Sequence, residues 1–140
     1  MNKRKIEKLI PIAIECIEKT NLIIVKENKI PKEFNGYISN FGASITQSGL
    51  MATVAFFETT DNKSNQNRGN LTKLILNVIN KEKDKNFELD EKIKLLGYII
   101  ENKSKKNIVK EEVINAAIAV KLAMRVFEFT DEMDSKEVDS

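Results

Sequence analysis

An all-α fold, a compact bundle of about six helices, is what this sequence predicts, and three observations carry that reading. Five glycines and two prolines in 140 residues are too little punctuation for a sandwich or barrel of many short strands. Apolar residues recur at helical spacing in segment after segment. Polar stretches containing residues suited to helix caps separate those segments. With 41% hydrophobic and 31% charged residues, the composition is that of an ordinary globular chain. One helical domain is expected over residues 1–130, followed by an acidic tail over 131–140.

The first helix is predicted from Ile6, Leu9, Ile10, Ala13, Ile17 and Ile24 on one face, with Arg4, Lys8, Glu15 and Lys19 facing away. Pro11 falls on the polar side, where it bends a helix without spoiling its core face. A second helix is expected from Pro31, a favoured first helical position, to about Gln47. Next comes the apolar octad LMATVAFF, residues 50–57. Strict alternation fails there, whereas Leu50, Val54 and Phe57 fit i, i+4, i+7. With Phe56 pointing elsewhere, the octad predicts a helix covered on more than one side, in the middle of the bundle.

Residues 58–70, ETTDNKSNQNRGN, have the composition of a surface loop. Leu71, Leu74, Ile75 and Val78 then form one stripe, with Asn70 as its expected N-cap. Asp90 is the expected cap of a helix carrying Leu89, Ile93, Leu96 and Ile100, with Gly97 on the same face as a point of close helix approach. Asn107 is the expected cap of the last and longest helix, on which Val109, Val113, Ala116, Ala117, Val120, Met124 and Phe127 keep the helical period.

Composition removes much chemistry. There is no histidine and one cysteine, so Ser-His-Asp and Cys-His nucleophiles, thiolate metal sites and disulfides are excluded. Cys16 is expected to be a buried small hydrophobe in a reducing compartment. No Walker or GxGxxG loop occurs. Asp84, Glu88, Asp90 and Glu91, like Asp131, Glu132 and Asp134, read as a solvated helix end and a tail rather than as a magnesium site. The N-terminus lacks a signal-peptide pattern and no apolar run spans a membrane, so a cytoplasmic location is expected.

The net charge of +2 hides an asymmetry: from Glu128 onward six acidic residues face one lysine, so residues 1–127 carry +7. The basic residues that could neutralise phosphates without reading sequence are Lys63, Arg68, Lys73, Lys121 and Arg125, with Lys110 nearby on the last helix. Lys121 and Arg125 share a face at i, i+4.

The run YISNFGASITQSGLMATVAF, residues 37–56, adds a more specific signal. Its Tyr37, Ile45, Gly49, Leu50, Ala55 and Phe56, in that order, resemble the signature of the small helical subunit of type III-B CRISPR effector assemblies, the Cmr complex. NAAIAVKLAMRVF resembles that family's C-terminal segment, with Ala116 and Arg125 in register. Gly42, Ser48, Val54, Asn115 and Leu122 depart from the usual residues. The resemblance implies an all-helical subunit without catalytic activity and without a cofactor. It implies partners too: other Cmr subunits and copies of itself in an inner filament, together with guide RNA and the target RNA backbone. The signature residues are expected to be structural, a helix entry at which backbones approach, followed by core packing. Of the basic candidates only Arg125 lies in a matched motif. The alternatives are the small subunit of the related type III-A complex, a helical protein-binding adaptor, and, last, a carboxylate-based nuclease.

Overall fold

The computed structural model describes residues 2–59 and 66–130. Among them, six α-helices carry the fold: α1 Lys3–Lys19, α2 Glu33–Ser48, α3 Leu50–Glu58, α4 Gln66–Lys83, α5 Leu95–Glu101 and α6 Lys106–Met124. A single 3-10 turn, Lys103–Lys105, precedes α6. Two short strands, β1 Lys29–Pro31 and β2 Glu128–Thr130, pair in parallel with Ile30 opposite Phe129.

α6 is the centre of the bundle. It packs chiefly on α1, and also on α2 and α4. Its periodic residues Val109, Val113, Ala116, Ala117, Val120 and Met124 are all buried, with Phe127 just beyond the helix end. Ala116, Ala119 and Ala123 are fully buried, and small side chains at such positions let a neighbouring helix come close. On α1 the predicted stripe Ile6, Leu9, Ala13 and Ile17 is buried, and Cys16 with it. Pro11 lies inside the helix on its exposed side, as expected. The Asn2 side chain caps α1 by accepting from Lys5 N at 3.2 Å, while Asn2 N donates to buried Asn115 Oδ1 at 3.1 Å, tying the start of α1 to α6.

Several boundaries differ from the periodic reading. α1 stops at Lys19, where Thr20 turns to extended backbone and its hydroxyl donates to Cys16 O at 2.7 Å. Ile24 is therefore 60% exposed, and Leu22 and Ile23 enter the core instead. Pro31 belongs to β1, not to a helix start; the pairing with β2, which joins residues 99 positions apart, occupies it first. Asn70 lies inside α4, which begins at Gln66 and shortens the expected loop. The tail over 131–140 lies outside the described residues.

α5 begins at Leu95 rather than near Asp90, and a distant residue caps it. The Glu58 carboxylate, at the end of α3, accepts from Leu96 N at 3.1 Å. Asp90 instead makes a local turn, accepting from Lys92 N. Buried Asn77 of α4 holds that loop through two bonds to the Asp90 backbone, at 2.9 and 2.8 Å. Gly97 is exposed and has nothing near its Cβ position, so no helix approaches there.

The octad forms α3, but at the rim of the bundle. Only Thr53, Val54 and Phe57 are buried; Met51, Ala52, Ala55 and Phe56 face solvent. The expectation of a helix enclosed on nearly every side is overturned, because among the described residues α3 packs chiefly on α2, α4 and α5 and leaves its other side exposed.

Candidate nucleic-acid interface

Gly49 sits at the elbow between α2 and α3 with φ of +90°, a conformation that glycine adopts freely and side chains resist. Nothing lies within 4 Å of its Cβ position, so its role is this turn and not a close backbone approach. The elbow leaves the first turn of α3 without a side-chain cap. Beside it opens a cleft of about 450 Å³, lined by Ser48 to Ala52 and by Lys103, Lys106 and Lys110. Unsatisfied helix N–H groups together with three ammonium groups make this end of the molecule positive.

From the cleft a basic face runs up α6. Lys106, Lys110, Ile114, Lys121 and Arg125 are spaced i, i+4, i+8, i+15 and i+19, which places them within an arc of about 100°. Lys110 and Arg125 are exposed and Lys121 is half-buried; Arg125, the C-cap, keeps helical backbone angles. The face extends over about 28 Å. The helix's acidic residues are on its other flank. Glu111 and Glu112 line a second cleft with Lys5 and Glu82, and Glu112 is held by Lys83 at 2.9 Å and by the Tyr98 hydroxyl at 2.7 Å. The long face is thus of one sign.

Arg68 belongs to a different place. It sits in the first turn of α4 with its guanidinium 4.4 Å from the centre of the Phe56 ring. Its Nε is buried without a hydrogen-bond partner among the described residues. Tyr37 stands close by. Burial raises its phenol pKa, as does the Glu33 carboxylate, to which it is hydrogen-bonded, while Arg68 pulls it down. Tyr37 also packs edge-on against Phe34, ring centroids 5.5 Å apart. An arginine plane stacked on an aromatic ring beside a tyrosine is a surface on which a flat or anionic group can rest.

The expected basic residues therefore do not form one patch. Lys121 and Arg125 share the α6 face. Arg68 joins Phe56 and Tyr37 on the α2–α3–α4 side. Lys73 is half-buried on α4, roughly 140° around that helix from Arg68. Lys63 lies outside the described residues. Lys103 and Lys106 were hidden in ENKSKKN, which reads as a polar connection; the run of three lysines in four residues was the available signal.

Of the signature residues, Ile45 is in the core, and Leu50 and Tyr37 pack partly against it. Ala55 is exposed and Phe56 is 57% exposed, contrary to the expected core packing, since the next residue, Phe57, takes the inward position. Phe57 meets Phe41 edge-on, centroids 5.2 Å apart.

Cys16 is fully buried, and burial, aided by Glu15 and opposed by Lys81, pushes its thiol up to about 12. It is no nucleophile near neutral pH. Among the described residues no three acidic, histidine or cysteine side chains converge on a metal position, and no helix is long and apolar enough to cross a membrane.

Comparison with known proteins supplies one match. The model of the CRISPR-associated protein family Cas_Cmr5 aligns with residues 7–123, from the first turns of α1 almost to the end of α6. Arg125 and the acidic tail fall beyond it. No curated protein and no solved structure gives a significant match. The length of the family match, over a six-helix fold carrying the Gly49-Leu50 elbow, settles the assignment in favour of type III-B over the type III-A and adaptor alternatives. The chain belongs to the Cmr5 family of CRISPR-associated proteins, a type III-B Cmr subunit family.

Proposed function

We propose that this chain is the non-catalytic small subunit of an RNA-guided RNA-targeting complex in cytoplasmic antiviral defence. In this reading it stacks along an inner filament with copies of itself and with other Cmr subunits, and contacts RNA backbone through the basic face of α6. Family membership supports its association with other Cmr subunits. The observation that carries the RNA contact is the single-signed face made by Lys106, Lys110, Lys121 and Arg125, ending in the cleft at the uncapped start of α3. Cations in a row along a helix face bind phosphates whatever the bases, which suits a subunit whose complex takes its specificity from guide pairing. The buried, high-pKa Cys16 and the absence of histidine support a role without nucleophilic or imidazole catalysis.

The test is the double variant Lys121→Glu/Arg125→Glu in the assembled complex. Target-RNA affinity is expected to fall by about tenfold or more near physiological salt, with a salt dependence shallower by about two phosphate contacts. Unchanged affinity would show that RNA does not lie on this face.

A further inference from the structure

The cleft beside the α2–α3 elbow has a chemistry that neutralising a backbone leaves unused. Its volume of about 450 Å³ lies within the range of small-ligand sites, about 300–1,000 Å³. The lining is mostly apolar, with Ile99 and Val109 buried, Leu50 half-buried and Ala52 exposed. Lys103, Lys106 and Lys110 line it too, and all three are exposed. None of them is paired with a carboxylate of the described residues. We propose that this cleft seats one unpaired nucleotide of bound RNA, its base against Leu50, Ala52, Ile99 and Val109 and its phosphate on the three lysines. The proposal rests on the reading of the α6 face as RNA-facing and adds a base to a face so far read as holding phosphates alone.

The combination of walls favours a nucleotide over a simpler ligand. A lone phosphate satisfies the lysines but leaves the apolar wall in water. A purely apolar group covers the wall but leaves three cations without a counter-charge. A nucleotide joins a flat, weakly polar ring to an anion and uses both. Asn102, also in the lining, adds a polar edge. Its side-chain nitrogen donates to Tyr98 O at 2.8 Å, which leaves the amide oxygen as an acceptor for a base N–H. Position favours RNA over an acidic side chain of a protein partner. Lys106 and Lys110 begin the row that Lys121 and Arg125 continue on the same side of α6, so a strand whose phosphates follow the helix reaches the cleft at its end. Only an unstacked base can lay its face on such a wall, and aliphatic walls hold it by burial.

A short fluorescent single-stranded RNA and an abasic strand of equal length and charge separate base from backbone in the full-length protein. The RNA is expected to bind about tenfold more tightly, and the gap should persist as salt rises, because base burial is not screened. Ala52→Leu, at an exposed helix position, fills the seat without touching the lysines. It is expected to close the gap while leaving the abasic affinity unchanged. The amides of Leu50 and Ala52 should shift with the RNA and not with the abasic strand. Equal affinities, both weakened by Lys121→Glu/Arg125→Glu, overturn the base seat and leave the RNA face standing. A gap that survives Ala52→Leu, with those two amides unmoved, puts the base elsewhere and overturns the seat as well. A gap closed by Ala52→Leu while Lys121→Glu/Arg125→Glu changes neither affinity upholds the seat and removes the RNA reading of the rest of the face. Shifts at Leu50 and Ala52 produced by a short acidic peptide and not by RNA overturn the nucleotide and assign the cleft to a protein partner.

Discussion

Two helices of this molecule, α3 and α6, are both rich in apolar residues, and they have opposite fates. α3 is the more hydrophobic for its length, yet it buries Thr53, Val54 and Phe57 and presents Met51, Ala52, Ala55 and Phe56 to solvent. α6 is diluted by lysines and glutamates, yet it is the helix around which α1, α2 and α4 assemble. What separates them is periodicity. A stripe that returns every three or four residues over five turns defines one inward direction and gathers partners along it. An unbroken run over two and a half turns defines no direction, and the neighbours then decide which side is covered.

The sharpest way to break this comparison lies within α3. Phe57→Ala removes a core side chain that meets Phe41, and the expected loss is about 3–5 kcal/mol of unfolding free energy. Phe56→Ala, one residue away and exposed, is expected to stay within about 0.5 kcal/mol, the small loss reflecting its contact with Arg68. Denaturant melts of the two variants check both; equal losses would place Phe56 in the core after all.

The α1 side of the bundle can be probed by pH. The Cys16 thiol is raised from 9.0 to about 12 in the fold, so between those values the unfolded chain releases a proton that the native chain retains. Stability from this group is fully present below pH 9 and declines as pH rises toward 12, by about 1.4 kcal/mol per unit. Lys83 and Tyr98 act in the same direction. Burial of Lys83 opposes its charge, but bonds to Tyr98 and Glu112 raise it on balance; burial raises the Tyr98 phenol. Melts at pH 8 to 11 should show the decline, and Cys16→Ala should flatten the part due to the thiol.

A smaller effect sharpens the role of α3 as a strut. Glu58→Ala leaves the start of α5 without its acceptor, at an expected cost of about 1–2 kcal/mol. Amide exchange should quicken first at Leu96. Protection unchanged there would mean that α5 needs no support from α3.

The legibility of the chain follows the same division. The core faces of α1, α4 and α6 were readable because each is long and strictly periodic, and all seven periodic positions of the last stripe, Val109 to Phe127, are buried. The caps read less well: Asn70 and Asp90 are of the right residue type, but α4 starts earlier and α5 is capped by Glu58 from 38 residues away. Strands of three residues, such as β1 and β2, carry no periodicity to detect. For the candidate site, Lys110, Lys121 and Arg125 could be placed on one helix face by spacing alone. Lys103 and Lys106 could not, because their importance comes from the α2–α3 elbow packed beside them.

By itself, then, the sequence determined the helical class, the buried stripe of α6, the charge division between body and C-terminal segment, and a family resemblance that the family match bears out. Those properties depend on local spacing and composition. Tertiary structure decided which side of α3 is covered, what caps α5, how β2 returns to β1, and which lysines share a cleft. These depend on contacts between residues far apart in the chain, and no periodicity within a single segment encodes its neighbours.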